Sequence, residues 1–395
     1  LEWSLQDPSC APEGLRLAAG MEYFWLSRGD RSEGREWLSQ LLAVPDEGAA
    51  PRIRARALSV AGRVAHVSGE ARAKTIALCR ESLTLQEALA DDEGKVRTLC
   101  RLGQIERHHR KSQEAMAHYQ EAFSLAQSLD DTWGMCTALH GLGAVAVDRR
   151  ELEAARAFFQ RGLSHARQIG DLRRTAHLLV GLALVEAEEK AWAKCYPFLQ
   201  EAERLFRTTG HRDGLSIVLN HMGEIARAEG QYELAEHYYT ETLALDRELG
   251  ASVAIGITSF NLAQTYLMLG RLEPAIACLS ECLVLGRRID RQELVSLALE
   301  GFANAASIRN QSAGAAALWS FAANLRELRG DTLDVVDRLA HEHFVATAKQ
   351  AVDDSTFKAA WAEGRLLTLD EVVAYALTLV ADNIEVDELG NAEER

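Results

Sequence analysis

The sequence is short of the features that interrupt helices or cross membranes. Six prolines are spread over 395 residues, so long helices meet few obligatory breaks. No apolar run approaches the roughly 18 residues needed to span a bilayer. The opening does not read as a signal peptide, and a cytoplasmic chain without membrane contact is expected. Basic charge is also scarce, with 43 Lys and Arg against 58 Asp and Glu and a formal net charge of -15. Such a surface repels phosphate backbones, which argues against direct nucleic-acid or anionic-membrane binding. The seven cysteines (Cys10, Cys79, Cys100, Cys136, Cys195, Cys278 and Cys282) are scattered and odd in number. They fit reduced core thiols rather than a disulfide framework. Cys278 and Cys282 lie one helical turn apart without a CxxC partner, so no metal role is expected of them.

Catalytic signatures are missing too. Gly141-Leu142-Gly143 resembles the opening of a dinucleotide loop, but it has no third glycine, no preceding strand and no following acid. There is no P-loop. In His341-Glu342-His343 the imidazoles project about 200° apart on a helix, so they cannot share a metal as an HExxH pair does. They read as rim histidines, and Arg107-His108-His109-Arg110 reads as a solvated corner. No nucleophile, base or metal constellation emerges, and the chain is not expected to be an enzyme or to hold a cofactor.

What is present is periodic. Hydrophobic residues make up 48% of the chain and charged residues 26%, ordinary for a folded protein. An apolar residue followed by a small one recurs at Leu102-Gly103, Leu142-Gly143, Leu182-Ala183, Met222-Gly223, Leu262-Ala263 and Phe302-Ala303, in steps of 40 residues. Ala61-Gly62 and Ala19-Gly20 extend the series at spacings of 41 and 42. Twelve positions after the small residue of each of the six 40-residue steps comes another, at Ala115, Ala155, Cys195, Ala235, Ala275 and Ala315. Four positions further stands a large one: Tyr119, Phe159, Leu199, Tyr239, Leu279 or Trp319. Small residues let two helices approach, and the large residue one turn on fills the hole between neighbouring hairpins.

The expectation is therefore all-α: a right-handed, tetratricopeptide-type superhelical solenoid of about eight helix-turn-helix repeats with a C-terminal helical cap. Repeats of 40–42 residues should fill 1–330, capping helices 331–380, and an acidic, frayed tail 381–395. In each repeat, helix A should begin near a capping residue, at Asp131, Asp171, Asp213, Ser252 and Asp290. Helix B is exemplified by Tyr232 to Leu249. Pro197 lies inside one helix B and implies either a bend or, the favoured reading, a late start after Cys195. Further helices are expected from Leu333 to Val352 and from Asp354 to Glu363. Thr368-Leu369-Asp370-Glu371 reads as a capping box opening a last helix. The seven tryptophans (3, 25, 37, 133, 192, 319 and 361) read mainly as core filling.

In such a solenoid the A helices line the concave side. Their rungs carry Arg97, Arg101, Gln104, Arg107 and His140 towards one end, and Asn220, His221, Glu224, Arg227, Asn261, Gln264, Glu300 and Asn304 further on. Val180, Leu184 and Ala187 lie between them. Polar walls with an apolar waist suit a peptide, a protein segment or a modest amphipathic molecule. The competing reading is that these faces are polar simply because they meet water. Asn261 occupies a rung of the dicarboxylate clamp that binds chaperone tails, but the clamp's lysines are absent.

The ends carry a more specific signal. Leu1-Glu2-Trp3-Ser4-Leu5, Gly14-Leu15-Arg16-Leu17-Ala18-Ala19, Phe24-Trp25, Arg28-Gly29 and Glu33-Gly34-Arg35-Glu36-Trp37-Leu38 open the chain. Phe357-Lys358-Ala359-Ala360-Trp361-Ala362-Glu363-Gly364-Arg365 and Leu369-Asp370-Glu371-Val372-Val373-Ala374-Tyr375-Ala376-Leu377 close it. This resembles the repeat domain of bacterial signal-transducing ATPases that regulate transcription, including large ATP-binding regulators of the LuxR type and related NB-ARC regulators. The resemblance implies a sensor arm whose inducer or inhibitory protein, bound to the repeats, controls an upstream ATPase module and a DNA-binding domain. Neither module is in this sequence, so ATP is implied only for a missing upstream part. The start at Leu1 agrees with a piece of a longer polypeptide. Exposed Trp3 and Trp25 would then permit self-association at the cut end. A free-standing peptide-binding scaffold or adaptor is the alternative.

Overall fold

The computed structural model describes residues 1–7, 10–27, 31–44, 51–68 and 70–380, and among these there is no strand. Arg28-Gly29 of the opening motif and the acidic segment 381–395 lie outside the described residues. The chain divides into two compact units, 1–215 and 216–395.

In the first unit the helices are α1 (Trp3–Gln6), α2 (Ala11–Gly20), α3 (Glu22–Ser27), α4 (Arg31–Ala43), α5 (Pro51–Val67), α6 (Arg72–Ala88), α7 (Asp92–His108), α8 (Ser112–Ser128), α9 (Thr132–Asp148), α10 (Leu152–Gln168), α11 (Leu172–Glu188) and α12 (Trp192–Thr209). Helix α13 (Arg212–Ala228) runs through the division. The second unit continues with α14 (Tyr232–Leu249), α15 (Ser252–Met268), α16 (Leu272–Arg288), α17 (Gln292–Ile308), α18 (Ser312–Arg329), α19 (Val335–Ala351), α20 (Asp354–Gly364) and α21 (Leu369–Val380). Consecutive helices pack as antiparallel hairpins, α7 on α8, α9 on α10 and α11 on α12 in the first unit, α15 on α16 and α17 on α18 in the second.

The small and large columns interlock as their chemistry requires. A methyl group placed on Gly103 would fall 2.8 Å from the Tyr119 ring, and one on Gly143 would fall 2.6 Å from Phe159. Each ring also presses on the next hairpin. Tyr119 lies 2.2 Å from where a methyl would stand on Gly141, and Phe159 2.5 Å from the equivalent point on Gly181. Gly141-Leu142-Gly143 is thus a socket for two aromatic rings.

The turns repeat every 20 residues. Left-handed backbone occurs at Ala90, Arg110, Asp130, Arg150, Gly170, Lys190, Gly210, Gly230, Gly250, Gly270, Asp290, Asn310 and Gly330. At each, the chain leaves one helix and enters the next within a few residues. Caps close some of the starts: Asp91, Asp131 and Asp171 accept the N–H groups of Gly94, Gly134 and Arg174 at 3.2, 2.9 and 3.0 Å. At three further starts the helix begins near the expected residue, but that residue does not cap it. Asp213 lies inside α13, and the imidazole Nδ1 of His211 accepts the Gly214 N–H instead at 2.9 Å. Ser252 is the first helical residue of α15 and Asp290 sits in the left-handed turn, and at both helices the flanking residue makes no side-chain cap.

Helix α12 starts at Trp192 and includes Pro197, so the late start expected after Cys195 does not occur. Pro197 and Ala193 are both exposed, which leaves the carbonyl that loses its N–H partner open to water. Tryptophan usage is also more divided than expected. Trp25 and Trp319 are buried, whereas Trp3 and Trp133 are exposed.

In the second unit α19, α20 and α21 pack against α17 and α18. Phe357, Ala360, Val372, Val373 and Ala376 join the apolar core there. Gly364 approaches the α18 backbone so closely that a methyl would meet the Ala317 carbonyl oxygen at 2.2 Å. The capping box is present, with the Thr368 N–H donating to Glu371 at 2.8 Å and the Glu371 N–H to Thr368 Oγ1 at 3.4 Å.

Two outcomes follow for stability. Lys190→Gly relieves left-handed strain and should raise stability by about 0.5–1 kcal/mol, whereas Gly230→Ala should cost about as much; urea midpoints measure both. Gly141→Ala drives a methyl into Tyr119 and should cost about 1–3 kcal/mol, a loss that shrinks in a Tyr119→Leu background.

Candidate functional site

The polar A-helix residues fall into two sets, one in each unit. In the first unit Arg97 pairs with Glu93 at 3.7 Å and stands 5.6 Å from the centre of the exposed Trp133 ring, which Arg174 covers from 4.0 Å. Arg107 pairs with Asp148 at 2.6 Å, and Gln104 is half-buried. Arg101 bonds both carboxylate oxygens of Glu22 at 2.8 and 2.6 Å and also reaches Ser59, so α3 is tied to α7 and α5. Tyr23, next to Glu22 in the chain, has its ring 6.3 Å from His211 and beneath the guanidinium of Arg173, at 5.3 Å.

His140 belongs to a chain of rings. It lies 6.2 Å from His177, which in turn lies 5.6 Å from His211 and 4.9 Å from Phe206. Burial, helped by Arg107 and Arg174, pushes His140 down to about 4, and burial with the neighbouring histidines pushes His177 down to about 3. His211 is lowered as well, by burial first and then by Arg173. These rings are neutral near pH 7, which His211 needs in order to accept the Gly214 N–H.

In the second unit the polar residues make a directed ladder. The Trp319 indole can only donate, and it donates to Asn304 Oδ1 at 2.9 Å. Asn304 Nδ2 therefore faces Gln264 and donates to its Oε1 at 2.9 Å. This leaves Gln264 Nε2 without an acceptor among protein atoms. One rung away, Asn220 Nδ2 donates to Glu224 at 2.7 Å while its Oδ1 accepts from Asn261 at 3.0 Å. His221 Nδ1 lies 2.7 Å from the other Glu224 oxygen. Burial opposes charge on both partners, yet their mutual attraction raises His221 and lowers Glu224.

Helix α19 meets this ladder at Arg227, Glu300 and Trp319. Asp337 accepts from Arg227 Nη2 at 2.6 Å, across 110 residues of sequence. His341 Nδ1 lies 2.6 Å from Glu300, which Arg326 holds on its other oxygen at 3.0 Å. Arg227, Asn261, Gln264, Glu300 and Asn304 are 1–5% exposed, where an open groove would leave them accessible. Arg227 Nε and Nη1 find no carboxylate or carbonyl acceptor, and the Tyr239 hydroxyl stands against the guanidinium. Asp337 and Arg326 escaped the sequence reading, and Tyr239, Trp319 and His341 were read as packing and rim residues rather than as members of a site. An acid at Asp337 between Val336 and Leu339, one turn before His341, was the available signal.

A profile of the tetratricopeptide repeat matches residues 174–248 and 214–288. Residues 174–288 thus carry tetratricopeptide repeats. This fold is typically a non-catalytic scaffold that binds proteins or peptides. Among solved structures, a Rap protein complexed with competence and sporulation factor is 13% identical, with 90% of this chain and 100% of that one covered at a TM-score of 0.56. A signal transduction ATPase with numerous domains and a tetratricopeptide repeat sensor, from Pyrococcus horikoshii, is 18% identical at a TM-score of 0.53. That alignment covers 82% of this chain and 55% of the Pyrococcus protein. The Rap conjugation gene regulator of plasmid pLS20, in complex with the Phr* peptide, is 12% identical over 88% of this chain and 96% of that one, at a TM-score of 0.50. Identities this low speak to the fold alone. No curated protein matches the sequence.

Burial elsewhere gives inert thiols, with Cys79 and Cys100 pushed up to about 12. Among the described residues no group of His, Cys, Asp and Glu is arranged to hold a metal, and no helix is long and apolar enough to cross a membrane.

The histidine chain sets a pH dependence. In the unfolded chain these imidazoles titrate near about 6.5, while the folded first unit holds His140 and His177 neutral to about 4 and about 3. The unfolded state binds more protons in that interval, so stability is complete above the unfolded value and falls as pH drops through it. The urea midpoint should decline between pH 7 and pH 5, and the combined His140→Gln and His177→Gln variant should show a shallower decline.

Proposed function

We propose that this chain is the ligand- or protein-binding sensor domain of a bacterial transcriptional regulator of the signal-transducing ATPase class. Its repeats fill 1–330 and its capping helices 331–380. It works in the cytoplasm and controls an ATPase and a DNA-binding module that lie outside this sequence, where ATP and promoter contacts belong. The observation that carries the reading is the polar ladder on the A helices of the second unit. Stacking hairpins need only apolar contacts between helices, and a run of buried Asn, Gln, Glu and Arg with unsatisfied donors is costly unless it recognises something. The end motifs support the choice of regulator, as does the fold shared with the Pyrococcus protein, whose repeats are described as a sensor.

Asn220, Glu224, Arg227, Asn261, Gln264, Glu300 and Asn304 form the main recognition face in this reading. Arg97, Arg101, Gln104, Arg107 and His140 of the first unit supply a second, cationic and aromatic one. The ligand is a peptide, a protein segment or a small amphipathic inducer. A free-standing peptide-binding scaffold uses the same faces without an ATPase, and the two Rap complexes, with a signalling factor and with the Phr* peptide, make that second reading concrete.

Native mass spectrometry of the chain purified from its source cells, before and after mild denaturation, tests the proposal. A released species of defined mass is expected, at least tenfold depleted when Asn220, Glu224 and Arg227 are replaced together by alanine in a variant that keeps its helical circular dichroism. A clean mass together with a protein partner retained in pull-downs would shift the reading to the scaffold. Neither a released species nor a retained partner would sink both.

A further inference from the structure

Helix α19 meets the second unit as a ligand meets a groove. Asp337, His341, Phe344 and Ala348 follow one another at intervals of four, three and four residues, which places them on one face. Asp337 takes the Arg227 guanidinium, and His341 takes Glu300 and packs its ring 5.8 Å from Trp319. Phe344 and Ala348 enter the apolar core, and the Phe344 carbonyl accepts from Ser307 Oγ at 3.3 Å. Glu342, His343, Thr347 and Gln350, around the rest of the helix, are exposed.

The fit is incomplete. Helix α19 engages one nitrogen of Arg227 and leaves Nε and Nη1 without a carboxylate or carbonyl, with only the Tyr239 hydroxyl standing against the guanidinium, while Gln264 Nε2 in the same ladder also lacks an acceptor. All three side chains are at least nine-tenths buried. Guanidinium donors left over beside Asp337 describe a face suited to an occupant richer in oxygens. The segment also has separable attachments. It is joined to its neighbours through the non-helical residues 331–334 and through extended backbone at Val352, whereas α20 is held by its own contacts with α18.

We propose that α19 is an internal occupant of this face, and that it is displaced by an amphipathic helix of a partner protein carrying an acid, then a polar residue four positions on, an aromatic residue three further and a small residue four further. The proposal rests on the reading above that this face is a binding site. Binding is then coupled to release of α19, because both occupants require Arg227 and the pocket of Phe344. The partner helix outcompetes α19 by offering additional carboxylate or carbonyl oxygens to the unmatched donors.

The test uses the full chain and a fluorescein-labelled synthetic peptide of residues 334–351 as probe. In the combined Asp337→Asn and His341→Ala variant, amide hydrogen exchange across α19 should quicken at least tenfold while α15 and α17 keep their native rates. The variant should bind the probe at least tenfold more tightly than the native chain, and a probe bearing the same two changes should lose that gain. Unchanged exchange in α19, or equal probe affinity for variant and native chain, overturns the proposal. If α15 and α17 also quicken, His341→Ala alone, which leaves the Arg227–Asp337 pair in place, is read by the same criteria. Failure to capture a ligand or partner counts against the proposed function, whereas unchanged α19 exchange counts only against displacement.

Discussion

Everything in this molecule depends on a large side chain of one helix filling the space left by missing side chains on two others. Tyr119 sits against Gly103 of its own hairpin and Gly141 of the next, and Phe159 repeats the arrangement with Gly143 and Gly181. One contact thus closes a hairpin and docks its successor. A single hairpin could not bury its apolar stripe alone, and each added hairpin extends the same contact to its neighbour. The spacing of the left-handed turns, one every 20 residues from Ala90 to Gly330, keeps those contacts in register.

With packing supplied by that interlock, the A-helix rungs are released from structural duty and can carry polarity. In the first unit this produces pairs such as Arg101 with Glu22 and a chain of neutral imidazoles. In the second it produces amides whose orientations are fixed one after another, starting from the Trp319 indole. Burial raises the electrostatic stakes of each member. It holds His177 far below its ordinary value, and it leaves Arg227 Nε and Nη1 costly wherever no oxygen meets them.

The hairpins were legible because their signal is local and repeated. Helix α14 spans Tyr232–Leu249, as its apolar stripe implied, and the capping box at Thr368 opens α21. Caps were less legible, since His211 displaces Asp213 through a ring nitrogen that no propensity scale favours. Pro197 was misjudged for a physical reason: at an exposed position, water replaces the hydrogen bond that proline removes.

The sequence by itself determined the all-helical fold, the hairpin pairing and the places where rings meet glycines, because those contacts join residues tens of positions apart in a fixed period. It also placed Asn220, Arg227, Gln264 and Glu300 on one row of rungs. Only the tertiary structure decided whether that row faces water. The Arg227–Asp337 ion pair links residues 110 positions apart, outside any period, and it exists because the three C-terminal helices fold back onto α17 and α18. The closing of a solenoid end depends on where one amphipathic helix finds its best surface, and no repeat in the sequence encodes that choice.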